Sequence, residues 1–202
     1  MKVDNFRKIS NLLEYMPGQF YFIQVIRRRK DQVDKTQHRD RTVIASFYVD
    51  SEEAYERYEP TIKKLCQMNK ARAYINLGRR DYEECALSMN LELGIRLKNR
   101  QYDSLKGLYE SAVGKAKGRG PCWVIDIDSK DWTIVDFIAN SIDKCDRNAE
   151  LNSAVVTYIP TLNGYHLITH PFNRKQFEPT QVMHDIDLHT NSPTLLYLDF
   201  ES

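Results

Sequence analysis

The sequence predicts an α+β fold in which helices intermix with a mostly antiparallel sheet. Segments with helical spacing of apolar residues alternate with short runs of β-branched and aromatic residues. Glycine and proline turns separate them, and Asn163-Gly164 joins two adjacent strand-like runs as a hairpin. At 202 residues the chain can bury a sizeable core. We expect a single domain with two halves, residues 1–117 and 118–202.

The first half is predicted to be a scaffold of helices and strands. Strands are predicted where aromatic and β-branched residues dominate, over residues 19–27, 41–50 and 71–77. Helices are predicted where apolar residues recur at helical spacing, over residues 4–15, from 51, over 82–98 and over 102–116. The charged segment 27–41 between the first two strands is predicted to be a hairpin loop or a mobile arm.

Local signals mark the ends of these elements. Pro17-Gly18 ends the first helix, and Asp81 opens the helix over 82–98. On that helix we expect one side to carry the apolar residues Cys85, Leu87, Leu91 and Ile95.

The second half is organised around a strand that ends in two carboxylates. The run 122–128 follows a glycine- and proline-rich break, which predicts the start of a buried strand. Because side chains alternate along a strand, Asp126 and Asp128 lie on the same face. Adjacent carboxylates repel each other unless a cation lies between them, and magnesium binds through one or two carboxylates plus water and substrate phosphate. An ordinary strand end that runs into a polar turn is the alternative interpretation.

The remaining elements of this half have clear periodicity. A helix is predicted over 132–145, the hairpin strands over 155–159 and 165–169, and a final strand over 194–200. Residues 172–190 give a mixed pattern.

Composition limits the possible partners and compartments. The formal net charge is +1, so a nucleic-acid site would have to be a local basic patch. The four cysteines lack C-x-x-C spacing, which is typical of reduced thiols in a cytosolic protein. No segment has the pattern of a signal peptide or a membrane span. We therefore expect a cytoplasmic protein with no membrane partner.

Two further features accompany the D-x-D strand. His166 follows the Gly164 turn inside an apolar strand, and Asp199 lies near the end of another apolar strand. The order acid-x-acid, small-x-His, apolar-Asp resembles the motifs of the archaeo-eukaryotic primase superfamily, which includes the primase-polymerases of phages and plasmids. The resemblance covers about residues 122–200.

This resemblance implies a fold and a set of roles. It implies an N-terminal α/β unit packed with an RRM-like sheet that carries the motifs. It implies that Asp126, Asp128 and Asp199 are catalytic and bind Mg²⁺ or Mn²⁺, and that His166 binds the nucleoside triphosphate. The chain has no helicase segment, so a helicase would be a separate partner.

Basic residues near the motifs are candidates for binding phosphates. Arg174 and Lys175 are the nearest candidates for the triphosphate, with a solvated turn as the alternative. Two groups of basic residues are candidates for binding single-stranded or primed nucleic acid beside exposed aromatic residues: Arg72, Arg79 and Arg80, which bracket the strand over 71–77, and the run 27–30, which follows the aromatic residues 20–22. Charged strand ends that block edge pairing are the alternative there.

A second acidic cluster competes with the first. Residues 184–189 contain another D-x-D flanked by His184 and His189, which could bind a transition metal. The cluster lacks the apolar run of a buried strand and lies between Pro179 and Pro193. It is therefore predicted to be an exposed loop.

Three functions follow. The leading hypothesis is a metal-dependent nucleotidyltransferase of primase-polymerase type in phage or plasmid replication. The alternatives are a catalytically inactive nucleic-acid- or protein-binding phage accessory or anti-defence protein, and a metal-dependent phosphodiesterase or nuclease. Both enzymatic hypotheses require Asp199 to lie close enough to Asp126 and Asp128 to share an ion.

Overall fold

Two antiparallel sheets with helices packed on them form the framework of the protein. The computed structural model describes residues 2–32, 40–120, 123–147 and 152–199. The strands are β1 (Lys2–Asp4), β2 (Gln19–Arg28), β3 (Arg41–Val49), β4 (Arg72–Asp81), β5 (Trp123–Ile127), β6 (Val155–Pro160), β7 (Tyr165–Thr169), β8 (Asp187–His189) and β9 (Thr194–Asp199). The helices are α1 (Phe6–Ser10), α2 (Glu52–Asn69), α3 (Tyr82–Lys98), α4 (Leu108–Lys115), α5 (Trp132–Asp143) and α6 (Arg174–Met183), with short 3₁₀ turns at Arg29–Asp31 and Tyr102–Leu105. The predicted α+β class is confirmed.

The first sheet has the strand order β1-β9-β4-β2-β3. Helices α1 and α2 contribute Phe6, Ile9, Tyr55 and Ile62 to its main core, where all four side chains are buried. The hydroxyl of Ser51 accepts a hydrogen bond from the backbone of Ala54 and so caps the first turn of α2.

The second sheet has the order β6-β7-β5-β8, and every neighbouring pair is antiparallel. The sequence β5-α5-β6-β7-α6-β8 is the βαββαβ arrangement of ferredoxin-like and RRM-like folds. Ile125, Ile127 and Leu167 face a core shared with α5 and α6. The alternate residues Val124 and Ile168 face the other way and join the core of the first sheet. One face of the RRM-like sheet is therefore turned toward the first sheet.

The final strand does not belong to the RRM-like sheet that was predicted to carry all the motifs. Strand β9 lies between β1 and β4 in the first sheet, with Lys2 opposite Asp199. The buried side-chain amide of Asn5 donates to the carbonyl oxygens of Leu195 and Pro160, at 2.8 and 2.9 Å. These bonds join β9 to β6 and tie the two sheets together.

Several predicted boundaries differ from those of the structure. Strand β4 continues through Gly78 to Asp81, because its far end pairs with the start of β2. The helix predicted over 4–15 is the shorter α1, and the helix over 102–116 is a 3₁₀ turn followed by α4. The mixed segment 172–190 contains α6 and β8. The predicted loop over 27–41 falls partly on residues 33–39, and the predicted strand ends at Cys122 and Phe200 also lie outside the described residues.

Helix α3 has the predicted bounds and the predicted Asp81 cap, but its apolar face is not where the sequence placed it. The Asp81 carboxylate accepts from the backbone of Glu83 and Glu84. Of the described residues in α3, Cys85 alone is buried, and Leu87, Leu91 and Ile95 are exposed. Cys85 packs with Phe20, Phe22 and Val113 in a small third cluster.

Candidate functional site

A cleft of about 530 Å³ lies between the two sheets. Strands β2, β3 and β4 of the first sheet line one side of it, and β5, β7 and β8 of the RRM-like sheet line the other. Residues 161–163 and 192–193 form its rim. The topology therefore places polar side chains of the RRM-like sheet in a cleft that faces the first sheet and is open to solvent.

The side of the cleft formed by the RRM-like sheet is acidic. Asp126 on β5 lies between two direct cross-strand neighbours, His166 on β7 and Asp187 on β8. Asp128, two residues further along the chain, and His189, the partner of Val124 on β8, also line the cleft. We call Asp126, Asp128 and Asp187 the acidic wall.

His166 is held from both sheets. Its Nδ1 lies 2.9 Å from the Oγ1 of Thr194 at the start of β9, and its Nε2 lies 3.4 Å from Oδ1 of Asp126. His166 lowers the pKa of the Asp126 carboxyl, and His189 and Lys30 make smaller contributions in the same direction. Burial of the carboxyl acts in the opposite direction. The ring is therefore fixed in orientation, with Nε2 directed at the acidic wall.

The opposite side of the cleft is basic. Arg28 from β2, Lys30 from the 3₁₀ turn, Arg41 from β3 and Arg72 from β4 line it, and we call these four the basic wall. Within the described part of the chain, Arg28, Lys30 and Arg41 form no ion pair. Burial and the positive charges of Arg28 and Arg72 lower the pKa of Lys30, and the nearby Asp128 acts against this shift. An anion bound here would relieve the crowding of like charges.

A buried ion pair positions the basic wall. Arg72 donates from Nε and Nη2 to the two carboxylate oxygens of Asp31, at 2.7 and 2.5 Å. Both side chains are less than one-tenth exposed. Because Asp31 follows Lys30 directly, this bidentate contact fixes the 3₁₀ turn on β4 and holds Lys30 at the cleft. Arg28 is held separately, with Nη1 donating to the Tyr74 hydroxyl at 3.3 Å.

The rim loop depends on a glycine. Gly164 closes the turn between β6 and β7, where the Thr161 backbone donates to the Gly164 carbonyl at 2.9 Å. A Cβ at position 164 would lie 2.0 Å from the carbonyl oxygen of Ile127 and 2.6 Å from the backbone nitrogen of Ser129. The turn is thus pressed directly onto the segment that carries Asp128, and it places Asn163 at the cleft.

The structure brings together four of the residues predicted from sequence. Asp126, Asp128, His166 and Arg72 all line the cleft. Asp199 does not join them. It lies on β9 four residues beyond the cleft-lining Leu195, which is about 13 Å along the strand.

Asp199 instead connects β9 to α2. Its Oδ2 accepts from Gln67 Nε2 and from the Tyr197 hydroxyl, each at 3.0 Å. These two hydrogen bonds lower the pKa of the carboxyl. The contacts give Asp199 a structural role in the first sheet and place it away from the acidic wall.

The other predicted basic residues lie outside the cleft. Arg174 and Lys175 are exposed in the first turn of α6, on the helical side of the RRM-like sheet. Arg79 donates to the carboxylate and the carbonyl of Glu14. Arg80 is 1% exposed, and it donates to acceptors that include the backbone carbonyls of Val113 and Gly78 and the side chains of Asn76 and Asn191.

Sequence reasoning missed part of both walls. The prediction of an exposed loop over 184–189 is wrong for residues 187–189, which form β8 and add Asp187 and His189 to the cleft. The alternation of Ile186 and Leu188 with these polar residues was the available signal, because it has the period of a strand. On the basic side, Arg28 and Lys30 belong to the run 27–30 that was predicted to bind nucleic acid beside exposed aromatic residues. Both line the cleft, but Phe20 and Phe22 are buried and offer no stacking surface.

The carboxylates suit a metal that arrives together with phosphate. Among residues 2–32, 40–120, 123–147 and 152–199, no three His, Cys, Asp or Glu side chains converge as a metal-binding group. Magnesium, however, commonly takes only one or two protein carboxylates and completes its shell with water and substrate phosphate. Asp126 on β5 and Asp128 just beyond its end, opposite the basic wall, fit that second mode.

Comparisons with models of protein families, with curated proteins and with solved structures found no match to this chain. None of the helices in the described ranges is long and apolar enough to cross a membrane.

Proposed function

We propose that the cleft binds a nucleoside triphosphate together with Mg²⁺ or Mn²⁺. A nucleotidyltransferase of primase-polymerase type is the first candidate for its activity, and such an enzyme would have to act without Asp199 at the metal. The observation that carries this proposal is the pairing of the acidic wall with the basic wall across one cleft. A metal-bound triphosphate has the complementary pattern, with a cation on one side of the phosphate chain and free anionic oxygens on the other.

Each wall then has a defined task. Asp126 and Asp128 would hold the metal, which when bound neutralises charge that develops on the phosphates. Arg28, Lys30 and Arg41 would bind the phosphate oxygens that the metal leaves free, and their lack of carboxylate partners among the described residues leaves these cations available. His166, held by Thr194, would donate from Nε2 to a phosphate oxygen beside Asp126.

The enzymatic hypotheses required Asp199 to share an ion with Asp126 and Asp128, and this requirement is not met, so a transferase would have to hold its metal through Asp126 and Asp128 with water and substrate phosphate. Asp187 is the direct cross-strand neighbour of Asp126 and lines the same cleft. It would add negative charge beside the metal rather than serve as a third ligand.

A non-catalytic binding protein is the second candidate, and the position of Asp199 favours it. The arrangement of three metal-binding aspartates that the resemblance implied is not formed, and Asp126 lies within 3.4 Å of His166. A chain that keeps the cleft but not this arrangement would bind nucleotide or nucleic acid without turnover.

Calorimetric titration of a non-hydrolysable nucleoside triphosphate, with and without Mn²⁺, tests the binding step. We expect binding that requires the metal and that weakens at least about tenfold in Asp126→Asn and in Lys30→Ala, which corresponds to about 1.4 kcal/mol. Arg174→Ala is the matched control, because this cation was a sequence candidate but lies outside the cleft. Binding that is independent of metal, or unchanged in Asp126→Asn, would contradict the proposal.

Turnover is tested separately with a primed template and labelled nucleoside triphosphates. Extension of the primer that is lost in Asp126→Asn supports the transferase. Shortening of the nucleic acid would indicate a phosphodiesterase or nuclease that uses water at the same carboxylates. Metal-dependent binding without either product would favour the non-catalytic protein.

A further inference from the structure

Helix α3 carries an exposed apolar stripe that the described residues of the chain leave uncovered. Leu87, Leu91 and Ile95 are 62%, 71% and 51% exposed. Their spacing of four residues places them on one face of the helix, one turn above another. Singly exposed leucines are ordinary, but three in one row along a 17-residue helix form a continuous surface.

A charged residue lies at each end of this stripe, and the two charges have opposite signs. Glu84 lies three residues before Leu87, and Lys98 lies three residues after Ile95. Both are exposed and fall on the same face of the helix. The stripe therefore has Leu91 at its centre, an apolar residue four positions away on each side, and an acid at one end matched by a base at the other.

This stripe matches the stripe of a second copy of α3 that runs in the opposite direction. If two copies of α3 pack antiparallel about a two-fold axis at Leu91, then Leu91 meets Leu91 and each Leu87 meets the partner's Ile95. The same operation places each Glu84 beside the partner's Lys98. A two-fold interface requires this reciprocal matching, and the antiparallel arrangement also sets the helix dipoles in a favourable direction.

We propose that α3 is the interface of a homodimer, with a second copy of this chain as the occupant of the stripe. The partner's Leu87 would pack on Ile95. Beside Ile95 lies a mostly polar groove lined by Glu92, Arg96, Arg100 and residues 101–104, with Tyr102 60% exposed at its edge.

The dimer leaves the cleft open. None of the described residues that line the cleft belongs to α3. The dimer is therefore independent of the proposed nucleotide chemistry, and either could fail without the other. A single helix pair is small beside the standard interface of about 1,600 Å², so we expect an association that depends on protein concentration.

Sedimentation analysis over a concentration series tests the proposal. We expect the mass of the wild-type protein to approach twice the chain mass of 23.7 kDa as concentration rises. Leu91→Glu places two like charges at the two-fold axis and should weaken the dimer at least about tenfold. Met68→Glu is the matched control, because Met68 is 70% exposed on α2, and it should leave the dimer unchanged. A wild-type protein that stays monomeric throughout, or a dimer that survives Leu91→Glu, would overturn the proposal.

A charge exchange tests the two-fold geometry. Glu84→Lys and Lys98→Glu should each weaken the dimer, because each brings like charges together across the interface. The double variant restores opposite charges and should recover the wild-type mass. Glu84 also pairs with Arg119 within its own chain, so thermal unfolding of each variant must show that the fold is retained. Failure of the double variant to recover, with its fold intact, would show that α3 does not pair in this way.

Discussion

The substitution Gly164→Ala should damage both the fold and the cleft, because Gly164 lies where the β6–β7 turn touches the backbone after β5. The new methyl carbon would lie 2.0 Å from the Ile127 carbonyl oxygen and 2.7 Å from the Ser129 carbonyl oxygen. Carbon and oxygen atoms that are not bonded stay about 3.3 Å apart or more. The turn or the end of β5 must therefore move by roughly 1 Å.

This displacement has a stability cost that can be measured. Forcing extra atoms into a packed site costs about 1–3 kcal/mol, and here the obstructing atoms are backbone, so we expect about 2–3 kcal/mol. For a chain of this size that is a fall in Tm of about 5–10 °C. The shift also moves Asp128 and Asn163, so the affinity for metal and triphosphate should fall with it.

Gly114→Ala is the matched control. Gly114 lies in α4, and a Cβ there would meet nothing within 4 Å. We expect this variant to be neutral or more stable by about 0.5–1 kcal/mol, because alanine restricts the unfolded chain more than glycine does. A Gly164→Ala protein with the wild-type Tm and the wild-type affinity for metal and triphosphate would show that the β6–β7 turn does not need glycine at this position.

Three further results are expected. Arg80→Leu removes the donor from at least four acceptors, three of them buried and the Asn191 side chain partly buried, and should cost about 3–4 kcal/mol in urea unfolding. Arg79→Ala removes a partly exposed ion pair and should cost less than about 1 kcal/mol, so similar losses in the two variants would contradict this assignment. His166 lowers the pKa of Asp126, so the ionised carboxylate stabilises the fold above its ordinary pKa near 4 and stops doing so as pH falls through the lower pKa of the folded state. The Tm of metal-free wild type and of Asp126→Asn, measured against pH, should therefore converge only in that acid range. Asp199→Asn should leave metal-dependent triphosphate binding unchanged in calorimetry, and a loss like that of Asp126→Asn would place Asp199 in the site after all.

The sequence predicted local elements better than it predicted what each element faces. Asp81 and the helical spacing that follows it predicted α3 over 82–98, which are its bounds in the structure. The expectation that Cys85 shares a side with Leu87 was wrong, because residues two apart lie about 200° apart around a helix. What the spacing could not show is which of these two sides packs on the rest of the chain.

In the candidate site too, local patterns were predicted better than the pairing of strands that lie far apart in the sequence. The resemblance implied that the D-x-D strand and His166 belong to one site, and the register of β5 and β7 places Asp126 opposite His166. The sheet that Asp199 joins depends on a pairing with β1, almost the full length of the chain away, and no local pattern encodes such a choice. Strand β8 was missed because three residues give too short a pattern to separate a strand from a loop.

The position of β9 also has a consequence for synthesis and folding. Strand β9 fills the space between β1 and β4, so the first sheet remains incomplete until residue 199 has left the ribosome. Until then β4 presents its backbone donors and acceptors as an open edge, which is where unwanted strand pairing begins. Residues 1–117 produced alone would keep that edge permanently. We therefore expect the two halves of the chain to fold together, although the first half supplies four of the five strands of its sheet and the second half all four of its own.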